Sequence, residues 1–98
     1  MKIRASRTYS ASENNYFISK EYDSTVIPVK GMCFTDSGLT ESGVIQPVEI
    51  TEVTIEPESN FYHILLARDT HDYGKEELKR KFENMKSNGW EYIEDLFL

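Results

Sequence analysis

The sequence has a single cysteine, Cys33, and no long apolar run. A single cysteine excludes an intramolecular disulfide framework and is typical of a reducing compartment. Without about 18 consecutive apolar residues no segment is predicted to cross a membrane, and the opening MKIRASRTYS lacks the apolar stretch of a secretory signal. We therefore expect a cytoplasmic protein with no membrane partner. Because apolar residues flank Cys33, we expect its thiol to be buried and inert.

The local motifs of the common catalytic sites are also missing. The chain contains no glycine-rich phosphate loop, no G-x-S-x-G, no H-E-x-x-H and no C-x-x-C. Carboxylates are plentiful, but hydrolysis by paired carboxylates also needs a concave cleft, which so short a chain rarely forms. The sequence therefore predicts no catalytic residue, no cofactor and no metal, and we expect a protein that is not an enzyme.

Basic residues are absent from positions 31 to 67, although the chain as a whole has 11. The acidic residues of that span are Asp36, Glu41, Glu49, Glu52, Glu56 and Glu58. Nucleic acid is bound by cations that face its phosphates. With a formal net charge of −6 and few basic residues near the N-terminus, we expect no direct binding of nucleic acid.

The length of 98 residues predicts a single domain, residues 1–98, with one core. Its hydrophobic content of 39% is sufficient for folding without a partner. Alternating polar and apolar residues predict several strands. The predicted strands are residues 1–9, 16–22, 25–34, 48–58 and 60–67, with a polar loop at 35–43. The strand 60–67 is apolar in both phases, which predicts a central strand covered on both sides.

The strand predicted at residues 48–58 has an irregular apolar pattern. Val48 and Ile50 share one phase, whereas Val53 and Ile55 share the other. A bulge of one residue near position 51 or 52 would restore the phase and point all four inward. The side chains then expected to point outward are Glu49, Thr51, Thr54 and Glu56. The glutamates of this segment are therefore expected to form a row on a solvated face.

The C-terminal half predicts one helix. Leu78, Phe82 and Met85 have the i, i+4, i+7 spacing of a single apolar stripe, and Gly89 is suited to the residue after the helix. The expected fold is α+β, a mostly antiparallel sheet of about five or six strands with the helix 74–88 on one face and a last strand after it. The strand–helix–strand link predicts that the last strand lies parallel to residues 60–67.

Two histidines raise the question of a ligand site. His63 falls within a predicted strand, without a partner at metal-ligand spacing, and is expected to be packed and hydrogen bonded. His71 lies in a loop beside Asp69 and Asp72. These three side chains could bind a divalent ion or a small ligand, but acids and threonines just before a helix more commonly cap its N-terminus.

The chain ends in apolar residues that no further element follows. They are Leu96, Phe97 and Leu98. Such residues either complete the core or leave an apolar patch for another chain. The second alternative would make them an interface, for example in a homodimer.

These patterns favour a protein-binding module over an enzyme. We expect the acids listed above to meet a protein partner with a basic surface, of which a nuclease or another nucleic-acid-acting enzyme is the natural example. In size, acidity and lack of catalytic residues the chain is similar to the anti-CRISPR and anti-restriction proteins of phages and to inhibitors of uracil-DNA glycosylase. That similarity implies an inhibitor or regulator from a phage or mobile element. The alternatives are an assembly module that homo-oligomerises through the tail or an edge strand, and a small metal- or ligand-binding enzyme that uses His71, Asp69 and Asp72.

Overall fold

The computed structural model describes residues 1–92 as nine strands, one α-helix and one short 3-10 turn. In chain order the strands are β1 (Lys2–Ala11), β2 (Asn14–Asp23), β3 (Cys33–Phe34), β4 (Thr40–Glu41), β5 (Val44–Ile45), β6 (Val48–Glu56), β7 (Phe61–Leu66), β8 (Asp72–Tyr73) and β9 (Glu91–Tyr92). The 3-10 turn, Pro57–Ser59, joins β6 to β7, and the helix α1 (Lys75–Lys86) lies between β8 and β9. Within these residues, no helix has the length and apolar character that crossing a membrane requires.

The sheet is built around a long hairpin. β1 and β2 pair antiparallel along their whole length, from Lys2 opposite Asp23 to Ala11 opposite Asn14. The two residues between them, Ser12 and Glu13, have φ of 50° and 68°. Positive φ at both positions matches the type I′ turn, whose twist suits two directly connected strands.

The other strands add to both sides of this hairpin, giving the order β3-β6-β7-β1-β2-β9. β7 is parallel to β1, and β8 continues beside the same strand after a break at residues 67–71. The remaining pairings along that order are antiparallel. The expected α+β fold, with one helix followed by a last strand, is confirmed, and the sheet is mixed.

The position predicted for the last strand is wrong. β9 pairs antiparallel with β2, with Ile18 opposite Tyr92, and not parallel with β7. The reason is that β7 already has β6 on one side and β1 on the other. A chain that leaves α1 can therefore join the sheet only at an edge.

One face of the sheet is covered by α1, whose Leu78, Phe82 and Met85 are fully buried. Phe82 meets the ring of Tyr9 edge to face, at 5.2 Å between centroids. The helix lies within the predicted range of 74–88. Its N-cap, however, is Gly74, whose N–H donates to Glu77, and not one of the acids or threonines that precede it. Within residues 1–92 no helix covers the opposite face. Leu65 of β7 is 38% exposed, so the prediction that this strand is covered on both sides is wrong.

The segment predicted as a third strand is mainly a loop. Only its last two residues, β3, pair with the sheet, while Val26, Ile27 and Val29 are exposed. Pro28 has no N–H to donate to a ladder, and the chain bends at Gly31, where φ is 93°. Cys33 is exposed, which overturns the expectation of a buried thiol.

The predicted loop at 35–43 contains a buried residue and a short strand. Leu39 is buried in the core, and β4 forms a small separate ladder with β5, with Glu41 opposite Val44. This ladder lies on the way to β6 and forms one wall of a cleft described below.

Candidate functional site

The bulge predicted in β6 is present, and it sets the direction of the glutamates. The register with β7 shifts between Ile50 and Glu52. Val48 and Ile50 are buried before the bulge, and Val53 is half-buried after it. Ile55, the next-to-last residue of β6, is by contrast 60% exposed. Of the four predicted inward residues, three therefore contribute to the core.

The glutamates of β6 lie on the solvent side. Glu49, Glu52 and Glu56 are exposed, and the last two stand opposite Leu65 and Phe61 of β7. Glu58, in the 3-10 turn, is exposed as well. The predicted acidic row is therefore accessible along the second half of β6 and the turn that follows it.

Glu56 differs from the other members of this row because it has a partner. Its Oε2 accepts a hydrogen bond from Nε2 of His63, at 2.8 Å. This bond, with a smaller contribution from the charge of Arg4, holds the pKa of Glu56 below its ordinary value. Within residues 1–92, neither Glu49, Glu52 nor Glu58 forms an ion pair.

A second feature of β6 is an unpaired strand edge. β3 pairs only with Val48 and Glu49, and the adjoining loop adds two hydrogen bonds to Ile50. Beyond that point β7 is the single strand of residues 1–92 that pairs with β6. We call Glu49, Glu52, Glu56 and Glu58, together with the backbone edge of residues 52–56, the acidic edge. An open edge of this kind can pair with another chain.

Asp36, which the sequence placed with the acidic row, has a different role. Its side chain is 7% exposed. Oδ1 accepts hydrogen bonds from Nζ of Lys20 at 2.9 Å and from the hydroxyl of Tyr22 at 2.5 Å. Oδ2 accepts them from the N–H of Gly38 at 2.8 Å and from Nε1 of Trp90 at 2.7 Å. A carboxylate held by four donors faces inward, so Asp36 does not belong to the acidic edge.

Glu41, which was predicted to belong to the acidic row, lies in β4. It is exposed and stands on the wall of a polar cleft. The cleft lies between the β4–β5 ladder, the loop at 67–71 and α1, and its volume is about 620 Å³. Basic side chains line it together with acidic ones, and among them are Arg7 and Lys81. A cleft of this size was not expected from so short a chain.

Two of the three predicted ligand residues, Asp69 and His71, line this cleft, whereas Asp72 does not. Asp69 accepts hydrogen bonds from the N–H of His71 at 2.9 Å and from the hydroxyl of Tyr73 at 2.7 Å. It therefore orders the loop that leads into β8. Within residues 1–92, no three His, Cys, Asp or Glu side chains come close enough together to hold a metal ion.

The predicted interface of Leu96, Phe97 and Leu98 lies outside the described residues.

Arg7 and Lys20 are functional residues that were not predicted from the sequence. Both follow the inward phase of their strands, which is set by Ile3 and Tyr9 in β1 and by Tyr16 and Ile18 in β2. A cation at an inward position of a predicted strand is the signal that could have identified them.

Comparison of the chain with protein-family models, with curated protein sequences and with solved structures finds no match.

Proposed function

We propose that this protein is a protein-binding module and that the acidic edge meets a basic segment of its partner. The observation that carries the proposal is the coincidence of exposed glutamates with an open backbone edge on the same half of β6. An extended peptide can add to such an edge through main-chain hydrogen bonds, and its alternate side chains then lie next to those of β6. Lys or Arg at those positions would complement the glutamates.

The concrete form of the proposal is an inhibitor or regulator of a nucleic-acid-acting enzyme. Such enzymes carry Lys and Arg where they bind phosphates, so a compact acidic protein can compete for the same surface. A net charge of −6 on 98 residues supports fast association with a basic partner. This function is of the anti-CRISPR or anti-restriction type.

The acidic edge argues against self-association through the same strand. If two copies paired along their β6 edges, Glu52 and Glu56 of one copy would face glutamates of the other. Like charges directly opposite each other destabilise a strand pair. The alternative of a homo-oligomer therefore depends on the C-terminal residues or on the other sheet edge, at β9, and it stays a prediction.

The binding mode can be tested with synthetic peptides of alternating Lys and Thr, compared with peptides of alternating Gln and Thr. We expect the lysine peptide to bind saturably and to shift the NMR amide signals of residues 52–56. We also expect the binding to weaken as salt rises, because the Debye length is only about 8 Å at physiological ionic strength. Equal binding of both peptides, or shifts confined to another part of the sheet, would contradict the proposal.

The glutamates can be tested by replacing Glu52 and Glu58 with Gln. These two are chosen because neither forms an ion pair within residues 1–92, so the fold should be retained. The matched control replaces Glu76 and Glu83, which are exposed on α1, and changes the net charge equally. Stopped-flow association with the lysine peptide should slow in the first variant and much less in the control. Equal slowing in both would mean that only the total charge matters.

The inhibitor version has its own test. Once a partner enzyme has been captured and identified, duplex DNA and this protein should exclude each other from it. A ternary complex that contains both would refute competition for the phosphate-binding surface, while leaving the strand-edge mode open.

A further inference from the structure

The polar cleft has the dimensions of a small-molecule site. Its volume of about 620 Å³ falls within the roughly 300 to 1,000 Å³ that such sites occupy. Tyr9, which is fully buried, and Tyr73, which is half-buried, lie beneath the cations that line it. The cleft is therefore a concave, partly aromatic surface with charged groups at defined places.

Two half-buried cations, Arg7 and Lys81, line this surface. The guanidinium of Arg7 lies 5.2 Å from the centre of the Tyr9 ring, and Nζ of Lys81 lies 6.0 Å from it. Arg7 donates through Nε to the carbonyl of Ala67 at 2.8 Å and through Nη1 to the hydroxyl of Tyr9 at 3.2 Å. Lys81 donates to the carbonyl of Thr40 at 3.1 Å. Each cation is thus held in place by neutral acceptors and keeps further N–H groups for a ligand.

Neither cation is neutralised within residues 1–92, because no carboxylate lies within 4.0 Å of either one. Lys20, which is also half-buried, is by contrast paired with Asp36. Burial raises the pKa of Tyr9, and burial together with Asp69 raises that of Tyr73. Both phenols therefore stay neutral at physiological pH and do not supply the missing negative charge.

The acids of the cleft limit which anion can fit. Asp69 already accepts hydrogen bonds on both oxygens, and Glu41 and Glu49 are exposed at the wall. The third cation of the lining, Arg68, is exposed and donates hydrogen bonds to side chains outside the cleft. These acids would repel a ligand of high negative charge, such as a nucleic-acid backbone. A ligand with one negative group and a polar or cationic remainder would suit both the inner cations and the outer acids.

We propose that this cleft binds a small molecule through a single carboxylate or other singly charged oxyanion, which Arg7 and Lys81 receive together. The planar fork of Arg7 supplies paired donors to two oxygens, and Lys81 adds a point charge. The site is separate from the acidic edge except for Glu49, which lies at the boundary of both. Ligand binding would thus be a second function of this chain, independent of its protein partner.

The test is an NMR titration of the folded protein with sodium acetate at neutral pH, with sodium chloride at the same ionic strength as the control. Acetate has few atoms, so a dissociation constant in the millimolar range is expected. We expect saturable shifts at the amides that line the cleft, including those of Ala67 and Thr70. Chloride should produce only small, non-saturating changes.

Two lysine variants separate a site from general charge effects. Lys81→Gln should weaken acetate binding about tenfold or more, the value of one lost hydrogen bond to a charged group. Lys79→Gln removes the same charge from an exposed position of α1 outside the cleft and should leave the binding unchanged. Arg7→Lys, which keeps the charge but not the fork, should also weaken it.

Three results would overturn the proposal. Equal acetate affinity in the wild type and Lys81→Gln would mean that Lys81 does not contribute to the site. Shifts that chloride reproduces would reduce the effect to screening. Saturable binding of sulfate, which carries two charges at neutral pH, but not of acetate would contradict the assignment to a singly charged group.

Discussion

Replacing Asp36 tests whether the fold depends on this one buried carboxylate. Its two oxygens accept four hydrogen bonds, which join β2, the loop at 37–39 and the chain just after α1. Lys20 extends the connection by donating to the carbonyl of Asn88 at 2.7 Å. The carboxylate and Lys20 together therefore link β2, the loop at 37–39 and the chain just after α1.

The magnitude follows from what Asp36→Ala would leave behind. Removing one member of a buried ion pair costs about 3 to 5 kcal/mol, and a buried donor without an acceptor costs about 1 to 3 kcal/mol. These costs do not add fully, because water can enter the space and Lys20 keeps its bond to Asn88. We expect a loss of about 3 to 5 kcal/mol, out of the roughly 5 to 15 kcal/mol that is typical of a whole domain.

Asp36→Asn should cost less, about 1.5 to 3 kcal/mol, because it removes the charged hydrogen bond to Lys20 but can keep the others. The amide oxygen can accept from Gly38 and Trp90, while the amide N–H₂ can donate to the hydroxyl of Tyr22. Both variants should be measured by denaturant unfolding at neutral pH. A cost below about 1 kcal/mol for Asp36→Ala would refute the reasoning, as would an Asn variant that is no better than Ala.

The same carboxylate predicts a pH dependence. Burial disfavours the ionised form, but the hydrogen bonds from Tyr22, Gly38, Lys20 and Trp90 together outweigh it, and the pKa of Asp36 lies below its ordinary value. Because the folded pKa is lowered, its stabilisation is complete above the unfolded pKa of about 3.9 and is lost as pH falls through the folded pKa. The stability difference between wild type and Asp36→Asn should therefore shrink below about pH 4. A constant difference down to the acid transition would contradict this.

The remaining predictions concern packing and the thiol. A Cβ at position 38 would lie 2.5 Å from Nε1 of Trp90, so Gly38→Ala should cost about 1 to 3 kcal/mol in denaturant unfolding, as overpacking does, and an unchanged midpoint would argue against the close approach. Trp90 is buried, so Trp90→Ala should cost about 3 to 5 kcal/mol by the same measurement, and a cost near zero would contradict its place in the core. Cys33 is exposed, and its labelling by a maleimide should proceed at similar rates with and without denaturant. Labelling that needs denaturant would restore the buried thiol predicted from the sequence.

Much of the fold follows from local pattern. The stripe of Leu78, Phe82 and Met85 located the helix, and the phase change within Val48–Glu56 located the bulge. Both features depend on side chains that repeat at the period of their own backbone, so a short window contains the information. The accessible glutamates of β6 follow from the same alternation, because residues between buried positions of a strand face the other way.

The roles of individual polar residues depended on partners distant in sequence. In the sequence Asp36 is one more acid in a span without basic residues. In the structure its carboxylate faces inward because it accepts hydrogen bonds from Lys20, 16 residues before it, and from Trp90, 54 residues after it. Arg7 and Lys81 form a cleft only because the parallel pairing of β1 with β7 and β8 brings the loop at 67–71 beside them.

The sequence alone thus determined the fold class, the helix, the bulge and the excess of negative charge, since these are set by composition and by contacts between near neighbours. Tertiary structure decided the order of the strands, which of them keeps an open edge, and which charges are buried, paired or left facing a cleft. The physical reason is that strand pairing and ion pairing join residues far apart in the chain. The local pattern of a single sequence does not identify which distant residues will meet.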